Sequence, residues 1–219
     1  LNALKSKYLI SVIVTVFNRR KKFQRAINSI FSQSITNFEI IIIDDGSTDG
    51  IEKIIIPLTK SHPFIKYLRH SNRGPALSLN VGILISEGNY VAFLDSDDEY
   101  GPYYLERRIE FMQKEKCDLL HSPATMIGKE KDFFVPDVRN RKRLIHLNKC
   151  VIGATFFGKK EIFLKLGGFS NVYSYDSIFL KKAKLKFKVK EFIEYSYIYY
   201  RDSRDSILTR EKQKTIYND

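Results

Sequence analysis

Three carboxylates close a short apolar run in Val91-Ala92-Phe93-Leu94-Asp95-Ser96-Asp97-Asp98. A run of this length and composition reads as a buried strand. In an α/β sheet the carboxyl end of such a strand opens into the crevice where ligands bind. Carboxylates that close together repel one another unless positive charge sits among them. A hard divalent cation is a natural partner, because it takes oxygen ligands and bridges to phosphate oxygens. The plainer reading, a solvated acidic turn, is about equally well supported by this stretch alone.

Two further segments end in the same way. Leu9 to Val16 is apolar and β-rich and runs into Thr15-Val16-Phe17-Asn18, followed by the basic cluster Arg19 to Lys22. Phe38 to Ile43 ends at Asp44-Asp45-Gly46-Ser47. Between and after these strands, apolar residues recur at helical spacing: Phe23, Ala26, Ile27, Ile30 and Phe31, then Leu77, Val81, Leu84 and Ile85 behind Pro75. Ser47 or Thr48 is a candidate cap for a helix over 48–60. A third strand is expected over 64–68 and a fourth over 90–94. The β-α-β-α-β-α-β order predicts an α/β fold with a mostly parallel sheet and helices on both faces. It places three polar or acidic strand ends on one edge. That edge suits a nucleotide held by hydrogen bonds to carboxylates, with its diphosphate held through a metal.

The rhythm changes after the acidic cluster. A helix is expected over 103–116, a short strand over 118–121, an irregular charged stretch over 122–150, a strand over 151–157, and helices over 159–166 and 174–184. Lys184-Leu185-Lys186-Phe187-Lys188-Val189-Lys190 alternates strictly and reads as a strand with one lysine face, a common protection for a sheet edge. Residues 209–219 read as a polar tail. With no linker or repeat in view, one domain over 1–219 is expected, with a nucleotide-binding half over about 8–100 and an acceptor half over about 101–208.

The chain has 219 residues and a formal net charge of +12. The excess is lopsided: residues 1–110 carry 14 Lys/Arg against 12 Asp/Glu, and residues 111–219 carry 23 against 13. An anionic partner is therefore expected on the second half, either a phosphate-bearing acceptor or membrane headgroups. No recognisable nucleic-acid motif is present, so nucleic acid is not an expected partner. The longest apolar run, Ile40 to Ile43, is strand-length, far short of a membrane span. No leader is visible, and the start at Leu1 leaves a trimmed start open. Cys117 and Cys150 form neither a disulfide framework nor a metal spacing, which fits a reducing cytoplasm. His62, His70, His121 and His146 show no metal spacing either. The aromatic stripe Phe192, Tyr195, Tyr197, Tyr199 and Tyr200 is better explained by core packing than by stacking on a sugar.

Taken together, Ser11 to Arg19, Ile43 to Asp49, Asn80-Val81-Gly82-Ile83, Phe93 to Asp98 and Gly167-Gly168-Phe169 resemble the family 2 glycosyltransferases with the GT-A fold. That resemblance implies an inverting transfer of a sugar from a nucleotide sugar, with a UDP-sugar foremost, to a glycan or lipid-linked acceptor at the inner face of a membrane. It implies that Thr15, Val16 and Asn18 line the donor pocket, that Asp44 or Asp45 accepts from the base, that Asp95 faces the ribose with Ser96 beside it, and that Asp97 ligates Mn²⁺ or Mg²⁺. Asp176, after the Gly-Gly-Phe turn, would be the general base. Three departures stand out. Leu79 replaces a usual arginine, for which Arg73 is a candidate substitute. Tyr175 replaces a usual glutamate before the base. Ser203 replaces a histidine, with Arg201 or Arg204 left to compensate. A degenerate donor-binding module and, less well supported, an aspartate-nucleophile phosphatase built on Asp95-Ser96-Asp97 are the alternatives.

Overall fold

The computed structural model describes residues 6–202 and 207–217. The first half alternates as expected. Strand β1 (Tyr8–Val16) leads to α1 (Arg20–Phe31), β2 (Phe38–Asp44), α2 (Glu52–Ser61), β3 (Ile65–Arg69), α3 (Pro75–Ile85) and β4 (Gly88–Asp95). The second half follows with β5 (Glu99–Tyr100), α4 (Tyr104–Glu115), β6 (Leu119–His121), β7 (Thr125–Ile127), β8 (Phe134–Pro136), β9 (Leu144–His146), β10 (Phe157–Lys159), α5 (Lys160–Lys165), α6 (Tyr175–Lys186), β11 (Val189–Glu191), β12 (Tyr197–Tyr200) and α7 (Ile207–Tyr217).

A seven-stranded sheet in the order β11-β6-β10-β4-β1-β2-β3 forms the centre. Its pairs are parallel except those made by β10, which is antiparallel to both β4 and β6. Strands β5, β12 and β7 form a smaller sheet, and β8 and β9 form a hairpin. Successive side chains of a strand face opposite ways, so the unbroken apolar runs of β1, β2 and β4 feed two cores. Val12, Val14, Ile40, Ile42, Ala92 and Leu94 pack on one face with Phe23, Ile27 and Ile30 of α1 and Leu105 of α4. Ile13, Ile41, Ile43, Val91 and Phe93 pack on the other with α3, α5 and α6.

Several expectations shift. Helix α2 starts at Glu52 rather than 48, because Ser47 and Thr48 bond back to Asn18 instead of capping a helix. Residues 151–157 hold a 3-10 turn, Gly153–Thr155, and the strand begins only at Phe157. The alternating lysines are divided between a helix end and a strand: Lys184 and Lys186 close α6, and Lys190 lies in β11. Leu180 and Ala183 are buried and Lys181, Lys182, Lys184 and Lys186 exposed, so α6 runs to Lys186 before the edge strand β11 begins at Val189. The alternation covered too few residues to separate a helix end from a strand. The irregular stretch 122–150 contains β7, β8, β9 and two 3-10 turns. The polar tail is the helix α7, which lies against β8. Its charged sequence carries little apolar periodicity, so contact with the hairpin decides its state.

Helix α3 sits tightly on β1 at Gly82, where an added Cβ would lie 2.5 Å from Ile13 Cγ2. Ile13 is fully buried in the middle of the sheet and has nowhere to retreat. Gly82→Ala is therefore expected to cost about 1–3 kcal/mol of stability, read as a lower urea midpoint with an unchanged denaturant slope.

Candidate functional site

The carboxyl ends of β2, β1 and β4 lie side by side. Thr15 pairs with both Ile43 and Asp95, and Val16 pairs with Asp44. The acidic ends of β2 and β4 flank β1, about 10 Å apart at the usual strand spacing.

The carboxylates on this edge divide by what their oxygens do. Asp44 is fully buried; its Oδ1 accepts from Ser47 N at 2.7 Å and its Oδ2 from Tyr67 Oη at 2.8 Å. Asp45 accepts from Arg73 N at 2.7 Å and Gly74 N at 3.0 Å, and so ties the loop before α3 to the end of β2. Asp98 accepts from Tyr197 Oη and Tyr200 N, both at 2.8 Å, and joins β4 to β12. Burial, with Asp95 and Asp97 close by, pushes its carboxyl well above the usual range. These three act as braces.

Asp95, Asp97 and Asp176 are arranged differently. Asp95 is half-buried, and burial followed by the Asp97 charge pushes its pKa up to about 7; Arg19 pulls it down and Asp176 adds to the rise. Asp97 forms a 2.9 Å ion pair with Arg19 Nε. Asp176 lies in the first turn of α6, where its Oδ1 accepts from Ser177 N at 2.7 Å and its Oδ2 from Gly153 N at 3.2 Å. Burial raises its pKa, opposed by these bonds. A helix N-terminus also favours its anion. Asp97 and Asp176 both push the Asp95 carboxyl up, so the ends of β4 and α6 bring three carboxylates into one electrostatic cluster.

The other candidates surround or support it. Asn18 adopts a left-handed φ of 52°, and its Oδ1 accepts from Thr48 N at 2.8 Å, closing the turn after β2 onto β1. Thr15 is half-buried, whereas Val16 and Ser96 are buried. The Val16 carbonyl accepts from Asp45 N at 2.8 Å. Arg73 is exposed, and only its backbone reaches Asp45. A cavity of about 560 Å³ opens on the side of Arg19, the partner of Asp97; Asn18, Arg20 and Asp49 also line it, and none of Asp95, Asp97 or Asp176 does.

The departures from the family pattern also find places. Leu79 is 6% exposed and belongs to the core under α3. Asn80, its neighbour, donates to the Phe169 carbonyl at 2.8 Å and accepts from Phe169 N at 2.7 Å. Gly168 has φ 69°, and a Cβ there would lie 2.3 Å from Asn80 Oδ1. The Gly-Gly-Phe turn is thus docked on α3, and this docking sets where α6 begins. Tyr175 packs edge-on against Phe169, ring centres 5.4 Å apart. Burial, then the Asp95 and Asp176 charges, push its phenol well above the usual value, so it stands neutral beside them. Arg201 is buried and its Nε donates to the Asp132 carbonyl at 3.0 Å. Ser203 and Arg204 lie outside the described residues.

Sequence reasoning assigned no role to Arg19 or Arg25. Arg25 donates to the Asp97 carbonyl and lies over the Tyr200 ring at 3.4 Å. The basic cluster directly after β1 was a usable signal for Arg19. Tyr197, read from sequence as a packing position of the aromatic stripe, is fully buried among Tyr100 and Tyr104. Its hydroxyl also touches Asp98 Oδ2 and Asp95 N, which that reading did not foresee.

Residues 11–184 match the model of the family described as glycosyl transferase family 2. The chain belongs to glycosyltransferase family 2. An uncharacterized glycosyltransferase of Haemophilus influenzae is 27% identical over 225 residues, covering 95% of this chain and 74% of that protein. One of Rickettsia conorii is 40% identical over 131 residues, covering 60% of this chain but 21% of its own length. The chain thus spans about a fifth of that relative. Among solved structures, Staphylococcus aureus TarS 1-349 in complex with UDP-GlcNAc superposes with a TM-score of 0.72 at 21% identity, over 92% of this chain and 60% of that 1-349 chain. The mannosyltransferase PcManGT of Pyrobaculum calidifontis, in complex with GDP-Man and Mn²⁺, gives 0.67 at 19% identity, over 90% of this chain and 58% of its own. This family 2 chain therefore has the GT-A fold. No helix among the described residues is long and apolar enough to cross a membrane.

Removing Asn80 tests the coupling of α3 to the turn. Asn80→Ala breaks both bonds to Phe169, and a loss of about 1–3 kcal/mol is expected. Amide exchange should rise at Phe169 while β1 and β2 stay protected.

Proposed function

We propose that this chain is the donor-binding and catalytic unit of an inverting glycosyltransferase. It would transfer a sugar from a nucleoside diphosphate, UDP foremost, to an acceptor hydroxyl. The observation that carries this reading is the convergence of Asp95, Asp97 and Asp176, whose charges act on one another where β4 ends and α6 begins. Family membership and the nucleotide sugars bound by TarS and PcManGT support it.

The residues fit a divalent cation. Asp97 offers hard oxygen ligands, and the negative charge around it already burdens Asp95. Among the described residues no three His, Cys, Asp or Glu side chains are grouped to hold an ion alone. One or two carboxylates would therefore share a Mn²⁺ or Mg²⁺ with phosphate oxygens and water, the common arrangement for magnesium. When bound, the cation neutralises charge developing on the departing diphosphate.

The chain's own groups do the rest. Asp97 holds the ligating carboxylate at the mouth of the hollow, and Asp95 beside it faces the ribose. Thr15, Val16, Asn18 and Ser96 line the nucleoside end, with the braces Asp44 and Asp45 fixing that wall and one of them accepting from the base. Arg73 stands at its rim. Asp176 takes the proton from the acceptor hydroxyl as that oxygen attacks the anomeric carbon from the face opposite the diphosphate. One displacement inverts that carbon. Tyr175, neutral, offers a hydrogen bond where a glutamate would offer charge.

Asp97→Ala is expected to abolish Mn²⁺-dependent UDP binding in calorimetry. Asp176→Asn should retain UDP binding and lose about 10²–10⁴-fold in turnover. Normal UDP and Mn²⁺ binding by the first variant would overturn the metal assignment. Full turnover by the second would overturn the base.

The pH profile offers a separate check. Asp176 acts ionised, and burial raises its pKa. Activity should fall as pH drops, through an acid limb above the ordinary carboxylate value of about 4. A limb at or below that value would contradict the assignment.

A further inference from the structure

The β8–β9 hairpin carries a dense basic tip. Residues 137–143 read Asp-Val-Arg-Asn-Arg-Lys-Arg, four cations against one carboxylate, with no aromatic residue. The tip is ordered by its own backbone. Asp137 N donates to the Arg143 carbonyl at 2.8 Å, Arg143 N to the Asn140 carbonyl at 2.9 Å, and Asp137 Oδ1 accepts from Arg139 N at 2.9 Å. Arg141 stacks on the Tyr173 ring at 3.8 Å and pairs with Glu211 of α7. Arg139 and Arg143 are exposed, and their guanidinium groups make no ion pair among the described residues.

One foot of this hairpin, and the chain that follows the other, reach the segment that bears Asp176. At one foot, Tyr173 Oη donates to the Pro136 carbonyl at 2.9 Å, three residues before Asp176. At the other, the chain leaves β9 and reaches Gly153, whose N–H donates to Asp176 Oδ2 at 3.2 Å. The Cys150 thiol between them, pushed up to about 11 by burial, also feels Asp176 and Asp137. Arg141, stacked on Tyr173, ties the tip to the chain that leads into Asp176.

We propose that the Arg139–Arg143 tip binds the acceptor, and that the acceptor is an anionic glycan carrying phosphate or carboxylate groups. Planar guanidinium groups match both anions with paired hydrogen bonds. A neutral glycan would call for aromatic and amide side chains, and the tip offers a single asparagine. The proposal rests on the reading of Asp176 as the base, because the acceptor hydroxyl must reach that carboxylate while the anionic groups lie on the hairpin.

The test is titration of the whole chain with oligogalacturonate, with sodium polyphosphate and with neutral maltohexaose, followed by calorimetry. Three proteins are compared: the unaltered chain, Arg139→Ser/Arg143→Ser, and Lys181→Ser/Lys184→Ser, which removes equal charge from exposed positions on α6. The expected result is binding of one or both polyanions that weakens with added NaCl. The hairpin variant should lose at least about tenfold in affinity, the α6 variant less than about twofold, and maltohexaose should not bind. The polyanion preferred identifies phosphate or carboxylate as the recognised group. Unchanged affinity in the hairpin variant, equal loss in both variants, or no polyanion binding would overturn the proposal. UDP binding with Mn²⁺ is measured on the same samples and should be equal in all three. Its absence from the unaltered chain would count against the donor reading while leaving the hairpin result to stand.

Discussion

Negative charge crowded onto one edge of the sheet is the constraint on which the rest of this structure depends. Asp44, Asp45, Asp95, Asp97 and Asp98 end two strands separated by a single neighbour, and the start of α6 brings Asp176 to the same edge. Such a cluster would repel itself apart if every carboxylate were ionised and unpaired. The fold answers with backbone N–H donors, tyrosine hydroxyls and the Arg19 guanidinium. Burial first, and then the Asp97 charge, drives the Asp95 pKa up to about 7.

The compensation is uneven, and the unevenness carries functional meaning. Asp45 has both oxygens engaged by the Arg73–Gly74 backbone, and Asp98 has both engaged by β12. These bonds lock the loop before α3 and the small sheet onto the ends of β2 and β4. The rigidity they supply keeps the remaining carboxylates in place, as a preorganised site requires. Asp97 pairs instead with the Arg19 side chain, a partner with more freedom to move than fixed backbone.

The second half of the chain delivers one carboxylate and one basic hairpin to this edge, by long-range contacts. Asn80 grips Phe169 from α3, the Gly-Gly-Phe turn bends the chain, and α6 starts where Asp176 meets Gly153. Leu79 completes the core beneath this junction, so its position serves packing here and the hollow draws its positive charge from Arg19 instead. Part of the +10 excess of residues 111–219 lies on α6, whose lysines face solvent, and part on the β8–β9 tip.

Amino-acid order by itself determined the alternation of β1 to β4 with α1 to α3, because apolar periodicity is a local property that survives without knowing the partner. It also placed three acidic strand ends on one edge, since parallel βαβ units leave all strands pointing the same way. It did not distinguish braces from open carboxylates: Asp98 and Asp97 are neighbours in sequence, yet only contact with Tyr197 and Tyr200 makes one structural. Nor did it reveal α7 or the short extension of α6 to Lys186, whose charged faces carry little periodicity. Those elements and the pairing of Arg19 with Asp97 were decided by tertiary structure, because hydrogen bonds and ion pairs between distant residues depend on distance in space and leave no mark on spacing along the chain.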